Sequence, residues 1–381
     1  MCTAFFCGCI CLQGDGISLT LATCMSKKRN DRKGAAGNEV AREEQRVVER
    51  AAGVVVRNTG SSFIVLTDDG REIDSRIKGT FRLRGIRTTN PVAVGDRVDV
   101  AVNADGSAYI TRIHDRRNYI IRRASNLSKE ASILAANVDQ ACLVVTLAHP
   151  TTSTTFVDRF LATAEAYGVP ALIVINKIDL LEEPDQTEGS DGLDATEEEA
   201  FEVSDGRELL EAVEYLYTSI GYPVVAVSAR TGQGMALLRE RLQGKITLMA
   251  GNSGVGKSTL INALIPGLEL RTGEISDVHD TGMHTTTFSE MFPLPGGGWL
   301  IDTPGVRGFG TIEFDEHEVS HFFPEIFRIG RDCRYDDCTH THEPQCAVLK
   351  ALDEQRIAQS RYNSYLSIME DANPDKYRKP F

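Results

Sequence analysis

The sequence lacks any run of about 18 uninterrupted apolar residues, the length that a membrane-spanning helix needs. Residues 1–24 also lack the basic start and the small-residue cleavage site of a secretory signal. We therefore expect a cytoplasmic protein without a membrane partner, and we expect it to be a monomer. Met25 opens the stretch Met-Ser-Lys-Lys-Arg, and we favour it as the start of translation. An export or lipid signal in residues 1–24 is the alternative.

The cysteines do not form the pattern of a disulfide framework in a small secreted protein. Five of the nine lie within the first 24 residues, three cluster between Cys333 and Cys346, and Cys142 stands alone. With 381 residues, the chain has room for two or three domains of roughly 100–200 residues each. The composition, 41% hydrophobic and 25% charged, is that of a soluble globular protein.

The sequence has fewer basic than acidic side chains, 41 against 54, and the net charge of −13 seen alone argues against a nucleic-acid partner. Residues 181–206, however, hold eleven acidic side chains and no Lys or Arg. Residues 51–125 hold thirteen basic side chains against eight acidic ones. Because a local basic face is what contacts phosphates, the net charge does not exclude RNA. We interpret the acidic insert 181–206 as a disordered, solvated surface loop.

Four segments are predicted. Residues 1–50 have the composition of a disordered extension. Residues 51–125 contain about five short strands, which favour an RNA-binding barrel of the OB-fold type, the alternative being a barrel that only docks on its neighbour. Residues 126–310 alternate strands and helices, which predicts a parallel sheet covered on both faces. Residues 311–381 are helical around a Cys/His-rich interruption, with one last helix over roughly 346–370.

A phosphate-binding loop is predicted over residues 251–258, Gly-Asn-Ser-Gly-Val-Gly-Lys-Ser, between an apolar strand and a helix. Its glycines let backbone N–H groups converge on phosphate oxygens at a helix N-terminus. We expect Lys257 to reach the β- and γ-phosphates as a catalytic group and Ser258 to bind Mg²⁺. The residues assigned to nucleotide binding here are Ala250, Gly251, Asn252, Ser253, Gly254, Val255, Gly256, Lys257 and Ser258.

The motif Asn176-Lys177-Ile178-Asp179 follows an apolar strand and predicts that the bound base is guanine. A carboxylate at Asp179 accepts hydrogen bonds from guanine N1–H and the exocyclic amine, a donor pair that adenine lacks. An adenine nucleotide would leave that carboxylate unpaired and desolvated, at a cost of at least a few kcal/mol. We expect the Asn176 amide to hold the pocket and the Lys177 stem to cover the base.

Three shorter signals complete the predicted nucleotide site. Ser228 and Ala229 end the next strand and match a short motif whose backbone supports guanine O6. Asp302 and Gly305, in Asp-Thr-Pro-Gly, are expected to reach Mg²⁺ through water and to sense the γ-phosphate, respectively. Among the threonines that precede them, Thr286 or a neighbour is expected to close onto Mg²⁺ when GTP is bound.

The order of these motifs is unusual, because the base-reading motif comes before the phosphate loop. In ordinary small GTPases the phosphate loop comes first. The sequence therefore predicts a circularly permuted GTPase domain, which keeps one spatial site because the loops share the C-terminal edge of the sheet. Movement near Asp302 would then pull on residues after Gly308. A P-loop kinase is the alternative, and Asp179 argues against it.

A zinc site is predicted in the pattern Cys333-x4-Cys338-x-His340-x5-Cys346. Three thiolates and an imidazole suit one tetrahedral, structural Zn²⁺. Four protein ligands leave no open position, so a catalytic zinc is not expected. A reduced cysteine cluster without metal is the alternative, and His342 is a competing ligand that ranks second to His340.

In this order, the motifs resemble the RsgA (YjeQ) family of circularly permuted GTPases of small-ribosomal-subunit biogenesis, from about residue 52 to residue 369. The residues that carry the resemblance are 90–97, 136–139, 176–179, 251–259, 284–287, 302–307 and the Cys/His cluster that ends at Cys346. The resemblance implies an OB barrel, a permuted G domain and a zinc domain. It also implies binding to the small ribosomal subunit and its rRNA, with GTP hydrolysis in late maturation that the ribosome stimulates. Met283 stands where the family often has Arg or Gln, and the acidic insert is longer than the resemblance predicts.

Slow intrinsic hydrolysis is expected, because Val306 stands where Ras-like enzymes have the glutamine that orients water. Our hypothesis is that His284, beside the switch threonines, orders the water as a catalytic residue. A histidine that packs or pairs locally is the alternative. A different class of protein, a non-catalytic rRNA-binding checkpoint protein that uses GTP only as a ligand, fits the same motifs.

Overall fold

The computed structural model describes residues 47–77, 91–123, 131–181, 206–270, 289–302 and 317–372. The strands there are β1 Val47–Asn58, β2 Phe63–Thr67, β3 Glu72–Ile77, β4 Arg97–Asn103, β5 Ala108–Ile113, β6 Tyr119–Arg123, β7 Ala131–Ala136, β8 Gln140–Val145, β9 Ala171–Ile175, β10 Val224–Ala226, β11 Ile246–Ala250, β12 Glu290–Pro293 and β13 Trp299–Asp302. The helices are α1 Thr154–Ala166, α2 Gly206–Ile220, α3 Met235–Leu242, α4 Lys257–Leu264, α5 Pro324–Gly330, α6 Ala347–Asp353 and α7 Gln359–Ala372. Short 3₁₀ helices span Ile178–Leu181 and Val319–Phe322.

Strands β1 to β5 close into a barrel in the order β1-β2-β3-β5-β4, with β4 paired back onto β1. The β3–β5 pair is parallel and the other pairs are antiparallel. Alternate side chains, among them Val55, Val65 and Ile110, point inward and form the barrel core. This closure confirms the predicted barrel of the OB type. Strand β1 begins at Val47, inside the segment 1–50 that was assigned to a disordered extension, because its first residues pair with β4.

A tight turn just before β4 packs the barrel against the end of β7. The buried Asp96 carboxylate accepts from the Ala93 N–H at 2.8 Å and from Arg116 Nε at 2.6 Å. Beside it, Gly95 has a φ of 90°, and a Cβ there would lie 2.1 Å from the carbonyl oxygen of Ala136. Only glycine permits this approach, so the turn holds the barrel directly against the end of β7.

The predicted parallel sheet is present in the order β10-β9-β8-β11-β13, with β12 as an antiparallel strand beyond β13. Side chains of β8 alternate between two apolar layers. Leu143 and Val145 pack with α1 and α2, whereas Cys142 and Val144 pack with α3 and α4. Helices therefore cover both faces, as a buried parallel sheet requires. Among the helices of the described ranges, none has the length and apolar character that crossing a membrane requires.

The prediction of one last helix over roughly 346–370 is wrong, because α6 ends at Asp353 and α7 begins at Gln359. At the break, Gln355 adopts a left-handed φ of 56°, and the Arg356 N–H donates to the Ala351 carbonyl oxygen at 2.8 Å. This hydrogen bond is the C-terminal cap known as a Schellman motif. The turn that follows buries Ile357 in the C-terminal apolar cluster, a gain that a continuous helix would forgo.

Candidate functional site

Three of the predicted motifs meet at one side chain, Asn176, which directly follows β9 and is 3% exposed. Its Nδ2 donates to the carbonyl oxygen of Val255 at 2.8 Å, and its Oδ1 accepts from the Ala229 N–H at 3.2 Å. One amide therefore connects the base-reading loop to the phosphate loop and to the Ser-Ala loop. The loops converge because their strands are neighbours in a parallel sheet, so they leave the same edge.

The phosphate loop, residues 251–256, depends on glycine at defined places. Gly251, Gly254 and Gly256 all have positive φ, at 147°, 82° and 87°. A Cβ on Gly251 would lie 2.3 Å from the carbonyl oxygen of Val144 on the neighbouring strand. The loop ends at the N-terminus of α4, whose first residue is Lys257. Such a backbone presents N–H groups and a positive helix end to an anion.

Lys257 lies over its own loop. Its Nζ donates to the carbonyl oxygens of Gly251 and Asn252, the second at 3.0 Å. Burial lowers the pKa of this ammonium, and the Asp302 carboxylate partly offsets that effect. The carbonyl oxygens are held within the loop that would receive phosphates, so the lysine is already directed at the place where the nucleotide's negative charge would lie.

The predicted magnesium ligands lie on the helix that follows the phosphate loop and at the end of a strand of the parallel sheet. Ser258 lies in the first turn of α4, and Asp302 ends β13, where it is in register with Met249 of β11. A hydroxyl and a carboxylate oxygen are hard donors of the kind that Mg²⁺ prefers, with waters and phosphate oxygens completing the octahedron. These two residues therefore fit the ion that the sequence assigned to them.

Asp179 lies in the 3₁₀ helix after Asn176 and is mostly shielded from solvent. The guanidinium Nη1 of the exposed Arg230 lies 4.0 Å from Oδ2 of Asp179. Lys177 has a left-handed φ of 63°, and its Nζ donates to the His149 carbonyl oxygen at 2.5 Å. Neither Arg230 nor His149 was predicted as a neighbour of this motif. Arg230 directly follows the Ser-Ala motif, which was the one available signal.

Further hydrogen bonds fix the positions of Ile178 and Ser228, two other residues of the predicted nucleotide site. The Ile178 N–H donates to the Val227 carbonyl oxygen at 3.3 Å, which anchors the base-reading loop on the strand beside it. Buried Ser228 accepts from the Thr231 N–H through its Oγ at 3.1 Å. These contacts fix the turn that presents the Ala229 N–H to Asn176. Ala250, fully buried, ends β11 just before the phosphate loop.

Three of the predicted residues, His284, Thr286 and Gly305, lie outside the described residues, as do Met283 and Val306. Residues 182–205 of the acidic insert also lie outside them. A Cβ on Gly206 would be 2.8 Å from the Leu181 carbonyl oxygen, which shows that the two residues flanking residues 182–205 are adjacent. The insert therefore leaves and re-enters the fold at one place.

The predicted zinc ligands converge, with the ligand atoms of Cys333, Cys338, His340 and Cys346 all within 4.8 Å of one another. His340 Nδ1 lies 3.5 Å from the sulfurs of Cys333 and Cys346, which are 3.8 Å apart. In a tetrahedral site with Zn–S bonds of about 2.3 Å, two sulfurs lie about 3.8 Å apart and a sulfur and nitrogen about 3.5 Å apart. The donor set, together with the spacing of Cys333, His340 and Cys346, therefore fits a closed Cys₃His zinc site.

His340, rather than His342, belongs to this cluster. The exposed His342 ring instead pairs through its Nδ1 with Thr341 Oγ1 at 2.8 Å. Hydroxyls on α7 hold the loop that carries His340, because Tyr362 donates to the His340 carbonyl oxygen at 2.8 Å and Tyr365 to that of Thr339 at 2.7 Å. The sequence pattern did not indicate these tyrosines.

Glu343 closes the loop between the ligands. Its carboxylate accepts from the backbone N–H groups of Thr339 at 2.7 Å and Thr341 at 3.0 Å. Burial acts to raise the pKa of this carboxyl, but the hydrogen bonds prevail and hold it at about 2. Glu343 thus braces the turn as an anion and leaves the ligand atoms to the cysteines and His340.

A buried ion cluster attaches the zinc-ligand region to α1. Arg361 Nη1 lies 2.8 Å from Asp158 Oδ1, and its Nε lies 2.6 Å from Glu325 Oε1. Tyr217 donates to the same Asp158 oxygen at 3.0 Å. Burial raises the pKa of Asp158, and the Arg361 charge opposes that shift. Three helices, α1, α5 and α7, are thereby joined through one guanidinium, which also lies over the Phe323 ring.

A sheet whose base-reading strand precedes its phosphate-loop strand, behind a small closed barrel, defines the class of circularly permuted GTPases. A sequence model described as RsgA GTPase matches residues 113–312, and one described as RsgA N-terminal domain matches residues 52–110. The chain belongs to the RsgA family. This confirms the resemblance drawn from the motifs.

The relatives support that assignment over most of the chain. "Small ribosomal subunit biogenesis GTPase RsgA" of Bacteroides fragilis is 55% identical over 329 residues, 86% of this chain and 99% of that protein. The protein of that name from Porphyromonas gingivalis is 55% identical over 334 residues, with the same coverage. The crystal structure of YjeQ from Thermotoga maritima matches with a TM-score of 0.65 and 33% identity, over 85% of this chain and 99% of that one. YloQ, described as a circularly permuted GTPase, matches with a TM-score of 0.63 and 27% identity, over 87% and 98%.

Proposed function

We propose that this protein binds the small ribosomal subunit and its rRNA and hydrolyses GTP during the late maturation of that subunit, and that the subunit stimulates turnover. The observation that carries the proposal is the pair of hydrogen bonds of the Asn176 amide, one to Val255 in the phosphate loop and one to Ala229 in the Ser-Ala loop, which brings the guanine-reading and phosphate-binding motifs into one site. The names of the 55%-identical relatives support the choice of the small subunit.

Within this proposal, the N–H groups of residues 251–258 and the Lys257 ammonium hold the phosphates. Asp179 accepts from the guanine edge while Lys177 covers the base. Ser258 and Asp302 would hold Mg²⁺, which supplies charge neutralisation on the β- and γ-phosphates when bound. By sequence, Thr286 is assigned to Mg²⁺ and the Gly305 N–H to the γ-phosphate. The domain boundaries proposed are 51–125 for the barrel, 126–310 for the G domain and 311–381 for the zinc-binding region.

The catalytic step needs a group that orients water, since Val306 cannot do so. We assign His284 to this role on its place beside the switch threonines. A His284→Ala variant is expected to bind GTP as the wild type does and to lose most of its subunit-stimulated turnover. Unchanged stimulated turnover in that variant would remove His284 from the mechanism.

The test of the whole proposal is GTP turnover measured with added small subunits, with added large subunits and with neither. Stimulation by small subunits alone supports the proposal. If GTP binds tightly and promotes subunit binding but single-turnover cleavage is absent with and without subunits, the protein is the non-catalytic checkpoint protein instead. Phosphate transfer to an acceptor, with ATP accepted as well as GTP, would indicate a kinase.

The Cys₃His cluster is proposed to hold one structural zinc ion, because its four donors leave no position for a substrate. We also propose that the protein acts in the cytoplasm as a monomer. Sedimentation of the purified chain with and without GTP tests the oligomeric state, and zinc content per chain tests the metal.

A further inference from the structure

The barrel and the nucleotide-binding sheet share a hydrogen-bonded edge. Strand β1 pairs with β12 in antiparallel register, with Arg57 opposite Glu290, and β12 pairs with β13, with Glu290 opposite Asp302. The Asn58 N–H also donates to the Ser289 carbonyl oxygen at 3.4 Å. Arg57, Glu290 and Asp302 therefore lie in one row across three adjacent strands, from the barrel wall to the predicted magnesium ligand.

The side chains strengthen this short backbone contact. Arg57 places Nε at 2.6 Å and Nη2 at 2.5 Å from the same oxygen, Oε1 of Glu290. Glu290 is the more buried partner, with its side chain 22% exposed against 50% for Arg57. Next to the pair, Val56 and Met291 are buried in one apolar cluster. A charge-assisted pair above a shared core fixes the lateral position of β12 against β1.

Attachment of the barrel does not depend on this pair. The turn at Gly95 is independently held, because Asn137 Nδ2 donates to the Gly95 carbonyl oxygen at 2.9 Å and the Ala136 N–H to that of Val94 at 2.9 Å. Loss of the Arg57–Glu290 pair should therefore leave the barrel in place while freeing β12 to move relative to it.

We propose that Arg57 and Glu290 are positioning residues that transmit engagement of the barrel by the small subunit to Asp302. This rests on the proposed function, in which the subunit binds and stimulates turnover. When the subunit displaces β1, the Arg57–Glu290 ion pair displaces β12 with it. Because Glu290 of β12 lies opposite Asp302 of β13, this displacement changes the position of Asp302. Coupling of this kind between two sites typically amounts to about 5- to 150-fold.

The experiment measures GTP turnover against small-subunit concentration for the wild type, Arg57→Met, Glu290→Gln and the exchanged pair Arg57→Glu with Glu290→Arg. The expected result for both single variants is a stimulated kcat reduced at least about fivefold. Basal turnover, GTP affinity and the half-saturating subunit concentration should stay within about twofold. The exchanged pair should recover at least half of the stimulated kcat, which a role of Arg57 in direct RNA contact does not predict, and unchanged basal turnover and GTP affinity in the single variants argue against a role in overall stability.

The matched control is Arg71→Met, which breaks another exposed ion pair of the barrel, that of Arg71 with Glu49, away from β12. It should leave the stimulated kcat unchanged. Full stimulation of Glu290→Gln, an equal loss in Arg71→Met, or a rise in the half-saturating concentration without a fall in kcat would each overturn the coupling. Absence of stimulation in the wild type would instead overturn the proposed function, and the coupling with it.

Discussion

Gly256 faces the side-chain amide of Asn176 so closely that a Cβ on Gly256 would lie 2.6 Å from Asn176 Nδ2. The glycine also has a left-handed φ of 87°, at the point where the phosphate loop becomes α4. The same Nδ2 donates to Val255, so the two loops fit together only when position 256 has no side chain. The guanine-reading loop and the phosphate loop are thus mutually dependent.

A Gly256→Ala variant is therefore expected to lose GTP affinity by about 10- to 100-fold, because it displaces the Asn176 amide and leaves buried polar groups unpaired. Titration with a fluorescent GTP analogue measures this. Gly232→Ala is the control, since Gly232 has a similar φ of 85° but nothing within 4 Å of a Cβ. The Gly232→Ala variant has the same kind of backbone strain but no steric clash. An equal loss of GTP affinity in both variants would therefore contradict the steric explanation.

Asp179→Asn should reverse the preference for the base. An amide can donate to the C2 carbonyl of xanthine, whereas it cannot accept from both N1–H and the amine of guanine. We expect GTP affinity to fall roughly 100-fold and XTP to become the better ligand. Competition between GTP and XTP for the labelled nucleotide measures the change. A variant that still prefers GTP would show that Asp179 does not read the base.

Replacement of the two neighbouring histidines should separate the zinc ligand from its competitor. His340→Ala removes one of four ligands, so zinc content per chain and thermal stability should both fall. His342→Ala is the control and should keep both, because the His342 ring is exposed and pairs with Thr341. Elemental analysis and thermal melting are the measurements. Loss of zinc in His342→Ala alone would reverse the assignment.

Arg361→Met should destabilise the protein by about 3–5 kcal/mol, because it leaves Asp158 and Glu325 buried without their cation. Arg356→Met is the control, since that arginine pairs with Glu354 on the surface and such pairs contribute about 0–1 kcal/mol. Urea unfolding followed by circular dichroism compares the two variants. Equal, small effects would show that the buried cluster does not attach the zinc-ligand region to α1.

Local features were predictable because they depend on few residue types at short spacing. Helix α4 has the predicted bounds, Lys257–Leu264, since an apolar run after the phosphate-loop motif leaves little freedom. The Cys/His cluster was equally readable, because metal ligands within fourteen residues need no distant partner. The last helix was predicted wrongly because its break at Gln355 serves to bury Ile357, and periodicity alone does not show what a residue packs against.

The sequence by itself determined the class of protein, through the order of the guanine-reading and phosphate-binding motifs, and the four Cys and His residues that converge at the predicted zinc site. Only the tertiary structure decided which side chains join these parts. The Asn176 side chain hydrogen-bonds to Ala229 and Val255, which are 53 and 79 residues away along the chain. Arg361 pairs with Asp158 across 203 residues, and Arg57 pairs with Glu290 across 233 residues. Along the chain Arg57 and Arg361 look like ordinary charged residues, and the motif that contains Asn176 does not indicate the partners of its amide. Their partners are set by how strands order and helices pack, which depends on burial summed over the whole core rather than on any local pattern.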